Sequence, residues 1–251
     1  MAGGGVRTDI NDSVARVIFF HPKSNSLPGK VLADLAGEFN RLKDDKSIKV
    51  IILQSEGEKA FCAGASFDEL LAINDFDTGK EFFMGFARVI NAMRKCPQFI
   101  IARVQGKAVG GGVGLIAAAD YALAVENALI KLSEFALGIG PFVVGPAVER
   151  KIGRAAFSQI SIDYEWYDSD WSKEKGLFAE TFATIEELDN GVTALAEKLA
   201  KNSPEASAAM KKIFWQGSEN WDELLEQRAE ISGRLVLSDF TKEYIRKFKG
   251  K

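Results

Sequence analysis

Two glycine-bearing turns and one glutamate hold most of the chemistry open to this chain. The first turn is Ala60-Phe61-Cys62-Ala63-Gly64-Ala65, the second Val109-Gly110-Gly111-Gly112-Val113-Gly114. Each follows a strand-like run, and the second opens a helix-like one, Leu115 to Ala119. Without a Cβ, glycine lets backbone N–H groups come close to a ligand. At a helix start those groups also carry the positive end of the macrodipole, which favours negative charge. If the two turns meet in space, their amides form an oxyanion hole. The same glycines are equally expected if they only let a strand and a helix pack tightly. A third reading is dinucleotide binding. Gly112-Val113-Gly114-Leu115-Ile116-Ala117 fits GxGxxG/A, and Glu134 follows at about the 20-residue distance that pattern expects. Against it, a dinucleotide domain usually opens with that motif, and here it starts beyond residue 105.

The composition narrows what else can take part. The 251 residues include one histidine, His21, and two cysteines, Cys62 and Cys96. That is too few for a thiolate metal site, a paired-histidine mechanism or a disulfide framework. Acid–base work therefore falls to a carboxylate, a tyrosine or a lysine, and a reduced, cytoplasmic protein is expected. Lys and Arg (32) nearly balance Asp and Glu (35), leaving −3, which argues against nucleic-acid or anionic-membrane partners. The longest apolar-and-glycine stretch, Val109 to Ala119, is 11 residues, short of the ~18 a membrane span needs. Met1 to Asn11 has no apolar core, so no secretory signal is expected.

The elements that must position these groups alternate. Val14 to Phe20, Lys49 to Leu53, Phe99 to Val104, Tyr121 to Val125 and Leu129 to Leu132 read as strands. Gly57 to Ala65 reads as a loop. Val31, Leu32, Leu35, Phe39 and Leu42 recur at helical spacing, and Thr78 to Lys95 reads as a long helix closed by Pro97. From about Gly140 the chain turns helical: Val144 to Ile152, Ala155 to Asp163, Ile185 to Lys201, Pro204 to Trp215 and Trp221 to Leu237. Ser203-Pro204 supplies an N-cap and a first-turn proline. The pattern predicts α/β architecture with crossover connections and a helical C-terminal extension.

Four segments, in order, resemble the crotonase family, also called the enoyl-CoA hydratase/isomerase family. They are His21-Pro-Lys-Ser-Asn-Ser-Leu27, Lys59-Ala-Phe-Cys-Ala-Gly-Ala-Ser-Phe67, Gly106-Lys-Ala-Val-Gly-Gly-Gly-Val-Gly-Leu115 with Asp120, and Leu132-Ser-Glu-Phe-Ala-Leu-Gly-Ile-Gly-Pro141. Ser203-Pro-Glu-Ala and Leu237-Ser-Asp-Phe in the tail are also similar. The resemblance implies a crotonase-like spiral of ββα units over residues 1–195, with a helical trimerisation region over 196–251. It also implies a homotrimer or hexamer. The implied substrate is an acyl-CoA thioester, with no cofactor or metal beyond the coenzyme A that the substrate carries. By motif position, the oxyanion donors would be the amides of Ala63 and Gly111, each worth about 3 kcal/mol where water is excluded. Substrate contacts would come from Lys23, Ala65 (whose carbonyl would hold the adenine), Gly110, Gly114, Pro141 and Phe142. Phe248 and Lys249 are further candidates near the coenzyme A entrance, and the basic tail Lys242 to Lys251 is either a solvated helix end or an attractor for its phosphates.

The chain departs from the hydratase pattern, in which two glutamates hold and split a water molecule. The first glutamate position is Gly114; only the second survives, as Glu134. Pro141 is followed by the bulky Phe142-Val143-Val144. A single carboxylate between apolar walls, its pKa raised towards neutrality, suits carrying a proton from the α to the γ carbon of a 3-enoyl thioester. This favours isomerase over hydratase. Asp68, Glu69 and Glu149 are the candidates for a second acid, and a non-catalytic acyl-CoA binder is the other alternative. Phe82, Phe83 and Phe86 either line an acyl tunnel or fill the core. His21 reads as a turn residue, Cys62 as an apolar filler, and Trp166, Trp171, Trp215 and Trp221 as packing residues. Ser66, where the family has aspartate, is assigned no chemistry.

Overall fold

A computed structural model describes residues 3–249, with side chains through residue 247. The chain opens with a hairpin, β1 (Gly5–Asn11) and β2 (Val14–Phe20), followed by helix α1 (Gly29–Leu42). The apolar residues of α1 that repeat at helical spacing (Val31, Leu32, Leu35, Phe39 and Leu42) are all buried, as its amphipathic pattern requires. From there the chain repeats one plan, two strands and then helix. The first unit is β3 (Val50–Ser55) and β4 (Ala60–Cys62), with α2 (Phe67–Ala72) and α3 (Phe76–Lys95). The second is β5 (Phe99–Val104) and β6 (Lys107–Val109), with α4 (Gly111–Ala118). The third is β7 (Tyr121–Val125) and β8 (Ile130–Lys131), with α5 (Gly145–Asp163).

In each unit one strand joins each of two sheets. Among the described residues the larger sheet runs β1-β2-β3-β5-β7-β9, where β9 is Glu180–Phe182, and all its pairs except β1/β2 are parallel. The smaller sheet runs β4-β6-β8, also parallel. Parallel pairing puts the carboxyl ends of β4, β6 and β8 side by side. Those ends carry the turns at Gly64 and Gly110 and the segment Leu132 to Glu134. The topology thus brings together three segments that are far apart in sequence.

The rest of the chain is largely helical: α6 (Ser169–Glu174), α7 (Ile185–Ala200), α8 (Pro204–Phe214), α9 (Trp221–Leu235) and α10 (Asp239–Lys249). Helix α9 lies along α3, closely enough that a Cβ on Gly79 would stand 3.0 Å from the Gly233 carbonyl oxygen. Helix α8 is tied down by Lys211. Its ammonium lies 2.8 Å from the Asp120 carboxylate and donates to the Gln98 carbonyl, with both partners of the ion pair buried. Residue 196, where the C-terminal region was expected to begin, falls inside the continuous helix α7. No helix of the described residues is long and apolar enough to cross a membrane.

Several elements differ from expectation. The first strand, β1, carries the alternating Val6-Arg7-Thr8-Asp9-Ile10 and is mostly exposed, which leaves it little apolar signature. The short elements β4, α2, α6 and β9 have too few residues for a periodicity to show. The expected break between Ile152 and Ala155 is present as a kink inside α5, where Gly153 adopts φ +79°. Trp215 and Trp221 are buried and meet edge to face, and Trp171 packs on Tyr167. Trp166, by contrast, is 43% exposed, with Lys107 and Lys131 over its ring, so it is a surface residue.

Candidate active site

Glu134 follows β8 and enters a single 3-10 turn, Phe135–Leu137. The turn folds back so that the amides of Leu137 and Ile139 both donate to the Glu134 carbonyl, and Gly138 closes it at φ +78°. This holds the Glu134 backbone while its side chain runs inward towards the second glycine turn. There, a Cβ on Gly110 would stand 2.9 Å from the carboxyl Oε1. Gly110 is also at φ +52°, so glycine is required on both counts. The inner oxygen, Oε2, is sealed from solvent and has no hydrogen-bond partner among the described residues. Burial pushes the acid up to about 7; only hydrogen bonds from its own amide and that of Ser133 act in the opposite direction.

The carboxyl faces a cavity of about 450 Å³. The cavity's inner walls are apolar: Phe82, Phe83 and Phe86 from α3, with Leu137, Ile139 and Phe142 opposite. The three phenylalanines resolve both alternatives at once. All line the cavity, and Phe86 also belongs to the main core, its ring covering Gly111 so closely that a Cβ there would lie 2.2 Å from the ring. The other expected contacts Lys23, Ala65, Gly110 and Pro141 lie on the wall as well, and so do Ala63 and Gly111.

Gly114 does not reach the wall. It is buried beneath Val144, whose Cγ1 would stand 2.5 Å from a Cβ at residue 114. Its expected role as a substrate contact is therefore corrected: the cavity surface here is the valine. Of the three candidates for a second acid, two lie elsewhere. Glu69 accepts from the Gly29 amide at 2.8 Å outside the cavity, and Glu149 is paired with Arg154 on another face. Asp68 stands at the cavity mouth in an ion pair with Lys23, and both side chains are about two-thirds exposed (66% and 64%). Among the described residues that line the cavity, Glu134 is the one carboxylate with a buried oxygen, Asp68 being largely exposed.

The amides in the first turn are arranged differently from expectation. The Ala63 N–H already donates to the Ser24 carbonyl at 3.2 Å, and the Gly64 N–H points at Cys62 Sγ. The amide without an acceptor among the described residues is that of Ala65. Its peptide is fixed from behind, because the Gly64 carbonyl accepts from Leu27 N–H at 2.7 Å. Such a bond both orients the peptide and polarises its N–H. The Ala65 carbonyl, expected to be open for an adenine, instead accepts from the Ser26 hydroxyl at 2.9 Å. The two alanines thus exchange roles: Ala65 presents the open amide and Ala63 the open carbonyl. In the second turn the Gly111 amide begins α4 and has no acceptor among the described residues. The turns are in contact, since a Cβ on Gly64 would stand 3.8 Å from the Gly111 nitrogen.

A residue with no role assigned from sequence holds this arrangement together. Asn25 is buried, accepts from the His21 amide, and donates to the carbonyls of Glu56 (2.9 Å) and Ala60 (3.0 Å). With Ser24 it adopts positive φ, +53° and +55°, which turns the loop onto the 63–66 segment. Asparagine tolerates that conformation better than most residues, so a polar Ser-Asn-Ser turn was the available signal. Ser66 caps α2 by accepting from the Glu69 amide. His21 is a turn residue whose pKa is lowered by burial. Cys62 is fully buried, its thiol pushed up to about 12, and is a filler as expected. The side chains of Phe248 and Lys249 lie outside the described residues.

A sequence model of the family described as enoyl-CoA hydratase/isomerase matches residues 9–250. Among curated relatives, the carnitinyl-CoA dehydratase of Proteus mirabilis is 30% identical over 82% of this chain and 78% of its own length. The peroxisomal Δ(3,5)-Δ(2,4)-dienoyl-CoA isomerase of Arabidopsis thaliana is 26% identical over 96% of this chain and 91% of its own. Among solved structures, an enoyl-CoA hydratase from Bacillus halodurans superimposes with a TM-score of 0.90 at 22% identity, covering 96% of this chain and 99% of that one. One from Mycobacterium avium gives 0.85 at 25%, covering 98% and 96%. The matched span covers both glycine turns and Glu134, and the superposition covers both sheets; the chain belongs to the enoyl-CoA hydratase/isomerase family.

Proposed function

We propose that the protein isomerises a 3-enoyl-CoA to the 2-enoyl-CoA. The observation that carries this reading is a single buried carboxyl, Glu134, facing a cavity in which the other acid position is glycine under valine. The thioester oxygen rests against the amides of Ala65 and Gly111. Ionised Glu134 takes a proton from Cα, the C–H electrons form a C1–C2 double bond, and the thioester carbonyl becomes the oxygen of a dienolate that still holds the C3–C4 double bond. Two backbone donors stabilise that charge without rearranging, by about 3 kcal/mol each. Glu134, now the acid, gives its proton to Cγ, which takes the C3–C4 electrons; the C1–C2 electrons move to C2–C3, and the carbonyl re-forms. Water is neither consumed nor released. An acid pushed up to about 7 is matched to both halves of this exchange.

The test is to supply a 3-enoyl-CoA and follow the appearance of the conjugated thioester. Turnover is expected in the native protein and not in Glu134→Gln, which should still bind the thioester. Binding without turnover in the native protein would make it a non-catalytic acyl-CoA binder.

A second reading, addition or removal of water across the double bond, is favoured by the likeness to carnitinyl-CoA dehydratases. It needs a second group to hold the water. Rapid hydration of a 2-enoyl-CoA would establish it in place of the isomerase.

A further inference from the structure

Behind the catalytic cavity lies a second space of about 310 Å³, bounded by α1, α2 and α3. Its lining includes four small or apolar residues, the buried Gly85, the half-buried Ile73 and the exposed Ala33 and Ala72. Its rim is charged: Glu69 is fixed to the Gly29 amide, and Glu81 is paired with Arg88. Phe82 lines both spaces. It sits half-buried on α3, edge to face with Phe83 at 5.0 Å between ring centroids. One part of the residue thus borders the catalytic cavity and another the groove.

We propose that Phe82 sets the longest acyl chain the enzyme holds, by walling the catalytic cavity off from a groove able to receive further methylenes. This rests on the acyl-thioester reading of the cavity. An alkyl tail fits the groove because these four residues carry no charge, while Glu69 is held by the Gly29 amide and Glu81 by Arg88. Helix α3 offers no other break: Phe83 and Phe86 face the cavity alone, and Gly85 is closed over by Leu32, whose Cδ1 would stand 2.8 Å from a Cβ there. Removing the ring at residue 82 is therefore the change that joins the two spaces.

The experiment measures the affinity of saturated acyl-CoAs of increasing length, which bind without reacting. The native protein is expected to bind more tightly with each methylene until the chain meets Phe82, and then to show no further gain. Phe82→Ala, with Phe82→Leu as the milder variant should the first unfold, is expected to move that plateau to longer chains. The gain should be up to about fourfold per added methylene, the value for burying one CH₂. In Phe82→Ala/Ala33→Phe, which refills the groove, the plateau should return to its native position. An unchanged plateau in both Phe82 variants, or a gain that survives the refilling, overturns the proposal while leaving the acyl-thioester reading intact. Failure of the native protein to bind any acyl-CoA would instead overturn that reading.

Discussion

Glu134 gathers the consequences of burial in one carboxyl group. With its pKa raised from 4.5 to about 7, the folded protein keeps a proton there that the unfolded chain has already released. Between those two values native stability therefore falls as pH rises, by up to about 3 kcal/mol above the window. Below it the residue has no effect. Glu134→Gln cannot ionise, so it should be more stable than the native protein at pH 8 by about that amount, with the gap closing below pH 4.5. Thermal or denaturant unfolding across pH checks this. Catalysis runs the other way: kcat/KM should rise with pH and level off above about 7, because the base must be ionised. This residue was legible in the sequence, since a single acid between Leu132 and Pro141 resembled the family segment. The exchange of Ala63 and Ala65 was not. Which of two alanine amides is already bonded depends on the loop at Ser24 to Leu27, and residue types do not show that.

At the scale of elements, three short parallel strands, β4, β6 and β8, place the two turns and the acid together. Each has two or three residues, so packing rather than strand length must hold them. The loop carrying Asn25 supplies part of that support, bonded to Glu56, Ala60, Ala63 and Gly64 through Asn25, Ser24 and Leu27. Asn25→Ala should lower kcat by roughly 10- to 100-fold, as expected when a donor is displaced by about an ångström. KM for the thioester should change little, because the cavity walls remain. Asn25→Asp keeps the acceptor for His21 but loses both donors, and should fail to restore kcat. Equal losses in kcat and binding would mark the residue as merely structural. Long elements were legible because their periodicity spans several turns, as in α1 and α3; the short strands were read as loop or glimpsed only in part. The kink at Gly153 was visible as two helical patterns meeting.

The whole molecule is a spiral in which consecutive ββα units build two sheets and the C-terminal helices fold back on their own chain. Helix α9 lies on α3, bringing Ser232 to the cavity wall, while α10 covers Gly138 with Phe240 and Thr241. Closure of the cavity and isolation of Glu134 thus depend on residues more than 90 positions after it. Family membership was legible from four ordered motifs, because backbone turns leave glycine signatures. The roofing of Gly114 by Val144 was not, since it requires knowing that the segment after Pro141 folds across α4.

A carboxyl whose inner oxygen is sealed from solvent, acting alone, should return to Cγ the proton it removed from Cα. The direct measurement is turnover of a 3-enoyl-CoA in deuterated water, stopped early, with the product's isotope content read by NMR. Substantial protium delivered from Cα to Cγ, with no oxygen added at C3, is the predicted result. Complete deuteration of the newly formed C–H bond, or a 3-hydroxyacyl-CoA as the main product, would contradict it.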